Sequence, residues 1–292
     1  MRILTMRSKI LKTAYRPRER AFSLFLSVSL GLGSLLLPSC AFSDLRTPEL
    51  LRCMESPKNR QKAAQLGRAL LNRAMDAAGG QKRWESFCSA EMRLEDEWQG
   101  FLGWLFRPWP SNPTHLRMRY GRGNVWVEAM YTKGPDRGRV FGVDSHGFWF
   151  KKKGERSRRY ASNESLRFIL RAYQFFFELP FELAKAEIIL YAGNRTRAGR
   201  VYDLVFVTWG KEAPHAEADQ YLCWIPRDSH RLEMVQYTLR DKFDFAKGCN
   251  RFSDFRKVQG MVLPFAYWIA QNPDDPSFIH RVQIEDVFLF HH

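Results

Sequence analysis

The sequence has no G-x-S-x-G, no H-E-x-x-H, no G-x-G-x-x-G and no P-loop. The local signatures of serine hydrolases, zinc proteases, dinucleotide enzymes and nucleoside triphosphatases are therefore all missing. No C-x-x-C spacing offers metal or redox chemistry. The seven histidines are scattered, and His291-His292 is only a terminal pair. Asp144-Ser145-His146 and Asp228-Ser229-His230 imitate a triad, but a triad is assembled from separated positions, so both read as turns. Glu95, Asp96 and Glu97 follow one another along an expected strand and alternate faces instead of pairing as acid and base. These residues support no enzyme, no catalytic group, no metal site and no cofactor. No repeat or low-complexity segment is present, and no linker splits the chain after its first part.

Acidic residues are scarce: 31 against 46 basic ones, for a net charge of +15. With 45% hydrophobic and 14% aromatic residues, the composition is that of a globular, aromatic-rich protein. A chain of 292 residues can bury one large β domain or two smaller ones. Much of the charge excess sits at the start. Residues 1–20 carry seven basic residues against Glu19, and Ala21 to Leu37 is uncharged and apolar. A basic region, an apolar run and a small-residue exit describe a secretory signal, too short to read first as a spanning helix.

Leu37-Pro38-Ser39-Cys40 resembles the lipobox of bacterial lipoproteins, departing from it at Pro38. The resemblance implies a signal over residues 1–39, cleavage before Cys40, and lipid on its thiol, so that the membrane is met through an anchor at Cys40. Ala41 after the cysteine suggests the periplasmic face of the outer membrane; a soluble periplasmic protein is the alternative. Removing residues 1–39 takes away seven basic residues and one acidic, leaving +9, which still favours anionic surfaces. In an oxidising compartment Cys53, Cys88, Cys223 and Cys249 are expected to form two disulfides. Three connectivities are open, with the N-terminal pair and the C-terminal pair preferred.

After a linker over residues 40–55, Ser56-Pro57 opens a helix carrying Leu66, Leu70, Ala74 and Ala77, which stops at Gly79-Gly80. Trp84 and Phe87 dock the turn that follows. From Cys88 the period becomes two: Met92, Leu94, Asp96 and Trp98 alternate with charged residues, as do Leu116, Met118 and Tyr120. Between them FLGWLFRPW (residues 101–109) is apolar on both faces and is expected as a strand needing a second cover. Turn-punctuated segments follow to Phe290, giving roughly eleven to thirteen antiparallel strands over a single domain at residues 56–292. One helical stretch interrupts them, Leu166 to Leu183. Leu166, Ile169, Leu170, Tyr173, Phe176 and Phe177 form one stripe, while Phe168, Ala172, Phe175 and Leu179 make the opposite flank apolar. Ser162 is expected to cap it and Pro180 to end or kink it. It reads either as a doubly buried core helix or as a lid over an apolar ligand.

Lys151-Lys152-Lys153-Gly154-Glu155-Arg156-Ser157-Arg158-Arg159 leads into that stretch. It is a solvated hairpin or a contact for anionic headgroups through Lys151, Lys152, Lys153, Arg156, Arg158 and Arg159; an exported protein meets no nucleic acid.

Several phrases together resemble the periplasmic lipoprotein-carrier superfamily that includes the outer-membrane lipoprotein-sorting proteins. They are Ala77-Ala78-Gly79-Gly80 with Trp84, the helix before Phe181-Glu182-Leu183, the strand Tyr202-Asp203-Leu204-Val205-Phe206-Val207, and Tyr221-Leu222-Cys223-Trp224-Ile225 with Arg231-Leu232. The last is Phe252-Ser253-Asp254-Phe255 running on to Gly260-Met261-Val262-Leu263-Pro264. The resemblance spans roughly Pro57 to Phe290 and marks no catalytic group. It implies a mainly β (α+β) fold, a large antiparallel unclosed β-barrel with an N-terminal helix and a helical lid over its concave face. It further implies an apolar cavity for acyl chains of a lipid or lipoprotein. Phe168, Tyr173, Phe176, Phe177 and Phe181 would line it from the lid, and Trp104, Phe106, Phe148, Phe150, Leu204 and Phe206 from the sheet, their faces set only to within one register step. The competing reading is a structural or interaction envelope lipoprotein with a filled core.

Overall fold

A computed structural model describes residues 42–123, 125–240, 242 and 244–291. The expected signal over residues 1–39 and the expected lipidation at Cys40 lie outside them. The alternating segments become β1 (Phe87–Trp98), β2 (Thr114–Gly121), β3 (Trp126–Tyr131), β4 (Val140–Asp144), β5 (Gly147–Lys151), β6 (Arg159–Tyr160) and β7 (Ile188–Arg197). The rest are β8 (Arg200–Thr208), β9 (Tyr221–Pro226), β10 (Met234–Thr238), β11 (Lys247–Val258), β12 (Met261–Ala270) and β13 (His280–His291). All thirteen lie in one sheet ordered β6-β5-β4-β3-β2-β1-β13-β12-β11-β10-β9-β8-β7. Every neighbouring pair is antiparallel. The chain starts in the middle, meanders to β6, crosses to β7, and returns to pair its last strand with its first. β6 and β7 are the two edges, so the barrel is unclosed, as expected.

Among the described residues five α-helices accompany the sheet: α1 (Pro48–Met54), α2 (Pro57–Ala77), α3 (Gln81–Ser86), α4 (Gly100–Phe106) and α5 (Glu164–Phe177). None among the described residues is long and apolar enough to cross a membrane. Proline at the first position of α2 costs no hydrogen bond, because that N–H has no partner inside a helix. Gly79 and Gly80 end it at φ 118° and 86°, angles that L side chains avoid. The buried face of α2 is Ala63, Gly67, Leu70, Leu71 and Ala74, whereas Leu66, expected inside, is 38% exposed. The face turns because α2 crosses the backbone of edge strand β7. A Cβ on Gly67 would stand 2.7 Å from the Leu190 carbonyl carbon and the Tyr191 nitrogen. The helix thereby covers an edge that would otherwise be open to pairing.

Residues 42–55, expected as a linker, are folded against the sheet. Thr47 caps α1 by accepting from Leu50 N–H and donates its own hydroxyl to the Ala192 carbonyl at 2.6 Å. Leu45 and Leu50 cover Leu204, Phe206, Leu222 and Trp224 on the convex face. Glu49 joins the Arg195 guanidinium through both carboxylate oxygens, and this hydrogen bond holds its carboxyl down to about 2.

The stretch at 101–109 is corrected from strand to helix. Gly100 at φ 70° turns the chain out of β1, and Gly103 packs α4 so tightly that a Cβ there would meet the Ile279 carbonyl oxygen at 2.9 Å. The four described cysteines are free thiols rather than two disulfides. Cys223 faces the concave cluster and Cys249 the convex one, two strands away, so the sheet itself separates them.

Candidate functional site: the concave face beneath α5

α5 carries the chain across the open side of the sheet. Its cap is Asn163 rather than Ser162: the Asn163 side chain accepts from Leu166 N–H at 3.0 Å. It ends at Phe177, before Pro180, as the proline requires. Ile169, Leu170, Tyr173 and Phe177 are buried against the concave cluster, together with Phe181 just beyond the helix. Of the opposite flank, Phe175 and Leu179 also pack against this cluster. Phe175 packs on Tyr221 and Phe176 on Tyr237, with ring centroids 5.3 and 5.1 Å apart. Two apolar flanks thus meet two parts of one curled sheet.

From the sheet, Phe148 is buried and Phe150 half-buried on this same face. Phe168 stands apart on the outer side, with the Lys242 ammonium 4.3 Å above its ring. Leu204 and Phe206 face the convex side beneath α1, and Val205 and Val207 take the concave positions, a one-step register correction. Trp104 and Phe106 lie on α4 and point outward, since the stretch is helical. Alternation alone missed Trp84, which stacks flat on Phe181 at 4.5 Å, and Tyr267, which meets Phe177 edge-on at 5.3 Å.

Two polar fastenings hold α5 down. At the first, the Tyr173 hydroxyl and the Trp109 indole N–H both donate to Oδ2 of Asp96, a fully buried carboxylate. His280 Nε2 lies 2.8 Å from Oδ1 of the same carboxylate and 2.9 Å from the Tyr173 hydroxyl. The Trp98 ring stacks on His280 at 4.0 Å and shuts this cluster from solvent. Burial and the neighbouring Asp96 push the Tyr173 hydroxyl well above its ordinary range. Among the described residues these hydrogen bonds join α5 to β1 and β13, and the cluster positions the helix.

The second fastening lies near the C-terminal end of α5. Gln174 donates to the Gly121 carbonyl at 2.7 Å, and the Gly123 N–H donates to Glu178 at 3.0 Å. Glu178 is fully buried, and burial with nearby Glu182 pushes its carboxyl up to about 8. Desolvation favours its protonated form there.

Under this end of α5 an apolar cleft, walled by Ala74, Phe176, Leu179, Leu232, Phe252 and Phe255, encloses about 20 Å³. That holds a water molecule and no acyl chain. Asn250, on the concave face of β11, is fully buried with neither side-chain amide atom hydrogen-bonded. Among the described residues no group of three or more His, Cys, Asp or Glu side chains converges on a metal position.

The basic run forms the β5–β6 hairpin. Arg158 pairs with Asp144 at 2.9 Å and stacks 4.2 Å over Trp149, and Arg159 pairs with Glu155 at 2.7 Å. Lys151 is half-buried at the hairpin base and lines a convex hollow with Arg117 and Arg119. Lys152, Lys153 and Arg156 are exposed and make no ion pair among the described residues.

No family model matches this sequence, and no curated protein matches it. Among solved structures the chain is similar to a DUF1329 family protein from Desulfovibrio piger. Identity is 13%, 78% of this chain and 93% of that one are covered, and the TM-score is 0.50. It is also similar to a LolA superfamily protein from Nitrosomonas europaea at 10% identity, covering 79% and 94%, with a TM-score of 0.46. The first likeness shows a shared fold, the unclosed half-barrel described above.

Proposed function

We propose that this is an exported, non-enzymatic envelope protein, lipid-anchored at Cys40, that takes an acyl chain, lipid or lipidated peptide between α5 and the concave face of its sheet. It would serve lipid or lipoprotein trafficking at the periplasmic face of the outer membrane. The observation that carries this reading is the placement of α5. An open half-barrel buries the middle of its apolar face under α5, which is fastened at two polar points, while Leu70, Leu71 and Ala74 of α2 and Trp84 of α3 pack into the same cluster. Such a helix is a lid that a ligand of matching apolarity can lift.

The magnitudes suit reversible exchange. A buried methylene is worth about 0.8 kcal/mol, so a long acyl chain offers on the order of 10 kcal/mol. Displacing the buried aromatic and aliphatic side chains of α5 costs about 1.5–3 kcal/mol each, a sum of similar size. Lys152, Lys153 and Arg156, with Lys151, Arg158 and Arg159 at the hairpin's base and flank, would receive an anionic headgroup.

The filled interior favours a second reading, a structural or interaction envelope lipoprotein that holds no ligand. Native mass spectrometry and lipid extraction of the protein from a Gram-negative host separate the two. Copurifying lipid, lost on Phe176→Asp while circular dichroism is unchanged, supports the carrier; protein that is empty from every preparation supports the structural role. The anchor is tested by labelled palmitate, which Cys40→Ser must abolish.

A further inference from the structure

α4 is a seven-residue helix whose outer side is almost wholly apolar. Phe101, Trp104, Leu105 and Phe106 are 72%, 68%, 52% and 53% exposed. This is a contiguous projecting patch, unlike the isolated apolar side chains of an ordinary surface. It is fixed to the body by the close approach of Gly103 to Ile279 and by the hydrogen bond from Gln99 N–H to the Ile279 carbonyl, 2.9 Å.

The register of the sheet decides what stands beside it. Asp96 of β1 pairs with Thr114, Leu116 of β2 with Tyr131, Met130 of β3 with Val140, and Val140 of β4 with Lys151. The β1–β2, β3–β4 and β5–β6 connections therefore emerge side by side at one end of the strands. The second contributes Lys133 and Arg137, and the third Lys152, Lys153 and Arg156, all exposed. The acids in those two loops, Asp136 and Glu155, are already engaged by Arg139 and Arg159. Five cations without ion pairs among the described residues thus flank three aromatic rings and a leucine.

The same end receives the start of the described chain. Ser43 N–H donates to the Asp244 carbonyl at 3.0 Å, and the Arg240 guanidinium lies over the Phe42 ring, in the β10–β11 connection. Thr238 pairs with Lys247 there, and Cys249 with Ala270, which places that connection at the end where α4 lies. Phe245, in the same loop, is 62% exposed. Cys40 is two residues before Phe42, a span of at most about 7 Å.

We propose that this end of the half-barrel docks on an anionic bilayer surface. Phe101, Trp104, Leu105 and Phe106 enter the interfacial layer, and Lys133, Arg137, Lys152, Lys153 and Arg156 meet headgroup phosphates. Aromatic side chains, Trp above all, settle at headgroup depth, and basic residues near such a surface are attracted to its phosphates. A projecting apolar knob with cations lacking ion pairs on one side of it fits a fluid anionic surface. The orientation rests on the anchor reading, since a lipid at Cys40 would enter the bilayer beside the same loops; the lipid contact does not.

The test uses the mature chain carrying Cys40→Ser, exported behind an ordinary secretory signal, so that no anchor contributes. It is sedimented with vesicles of phosphatidylcholine alone and with vesicles containing phosphatidylglycerol. Binding is expected to be at least about tenfold tighter to the anionic vesicles, each basic residue near the surface being worth about fivefold. Brominated acyl chains should quench its fluorescence, and Trp104→Phe should remove that quenching. Phe101→Ser, Trp104→Ser and Phe106→Ser together should abolish vesicle binding without moving the melting curve, because all three are exposed. Lys152→Gln, Lys153→Gln and Arg156→Gln together should remove only the preference for anionic vesicles. The proposal is overturned if neither vesicle binds, if both combined variants bind like the parent, or if the patch retains an envelope protein while ignoring lipid. Absent palmitate labelling at Cys40 with vesicle binding intact would remove the anchor and leave the docking face standing.

Discussion

The hydroxyl of Tyr173 on α5 lies 2.9 Å from Nε2 of His280 on β13, and both approach the carboxylate of Asp96 on β1. The helix over the open face is thereby tied to the middle of the sheet. Tyr173→Phe keeps the ring packing and deletes the donor to a buried carboxylate, a change worth about 1–3 kcal/mol. Urea titration should show that loss, and hydrogen exchange should show α5 amides losing more protection than those of β1 and β13. Equal loss across all three would mean that the helix is held by packing alone.

Glu178 makes the hold on α5 depend on pH. Its ordinary value is 4.5 and burial raises it to about 8 in the fold. Between those values the folded protein keeps a proton that the unfolded chain has given up. The stabilisation is fully present below about pH 4.5 and is lost as pH rises through about 8. The melting temperature should fall from about pH 5 to about pH 9, and Glu178→Gln, neutral throughout, should flatten that fall. A variant with the parent's slope would assign the dependence elsewhere.

Gly67 lets α2 lie directly on β7. A methyl group there meets backbone atoms at 2.7 Å, and those cannot swing aside. Gly67→Ala should destabilise the protein by about 1–3 kcal/mol despite alanine's better helix propensity. Light scattering during refolding should rise as well, because lifting α2 bares the edge strand.

Asn250 offers a way to separate an empty interior from an occupied one. Its amide is fully buried and unpartnered on the concave face. Asn250→Leu, close to it in shape, should stabilise ligand-free protein by about 1–3 kcal/mol. If the polar group of a bound lipid uses that amide, the same variant should retain less lipid on extraction. A loss of stability in lipid-free protein would show that the amide has a partner.

Much of this architecture could be read from residue order, and the parts that could not share a cause. The two apolar flanks of residues 166–183 announced a helix needing double cover, and period-two runs such as Met92, Leu94, Asp96 and Trp98 announced strands. Alternation fixes a strand's two faces and leaves open which is inner, which is why Leu204 and Phe206 exchanged places with Val205 and Val207. FLGWLFRPW looked like a strand because its helical turn depends on Gly100 and on contact with Ile279, far along the chain. Residues 42–55 looked like a linker because Leu45 and Leu50 are too few to show a period, although they join a convex cluster drawn from the five strands β7 to β11. Asp96 was legible as a strand residue and invisible as a fastening point. Its partner Tyr173 is 77 residues away, and local patterning carries no record of such a meeting.

The pairing of β1 with β13 has a kinetic consequence. Each half of the sheet is a run of neighbouring hairpins that can form as its own residues emerge, because every partner is close in sequence. The seam joining them, from Phe87 opposite His291 to Trp98 opposite His280, needs β13, the strand most distant from β1 in sequence among those described. Loop closure over almost the whole molecule must therefore come last, a topology that folds slowly. Until β13 arrives, the two halves share only the segment that crosses between them, and the margin of β1 that β13 will cover stands open to pairing with any other strand.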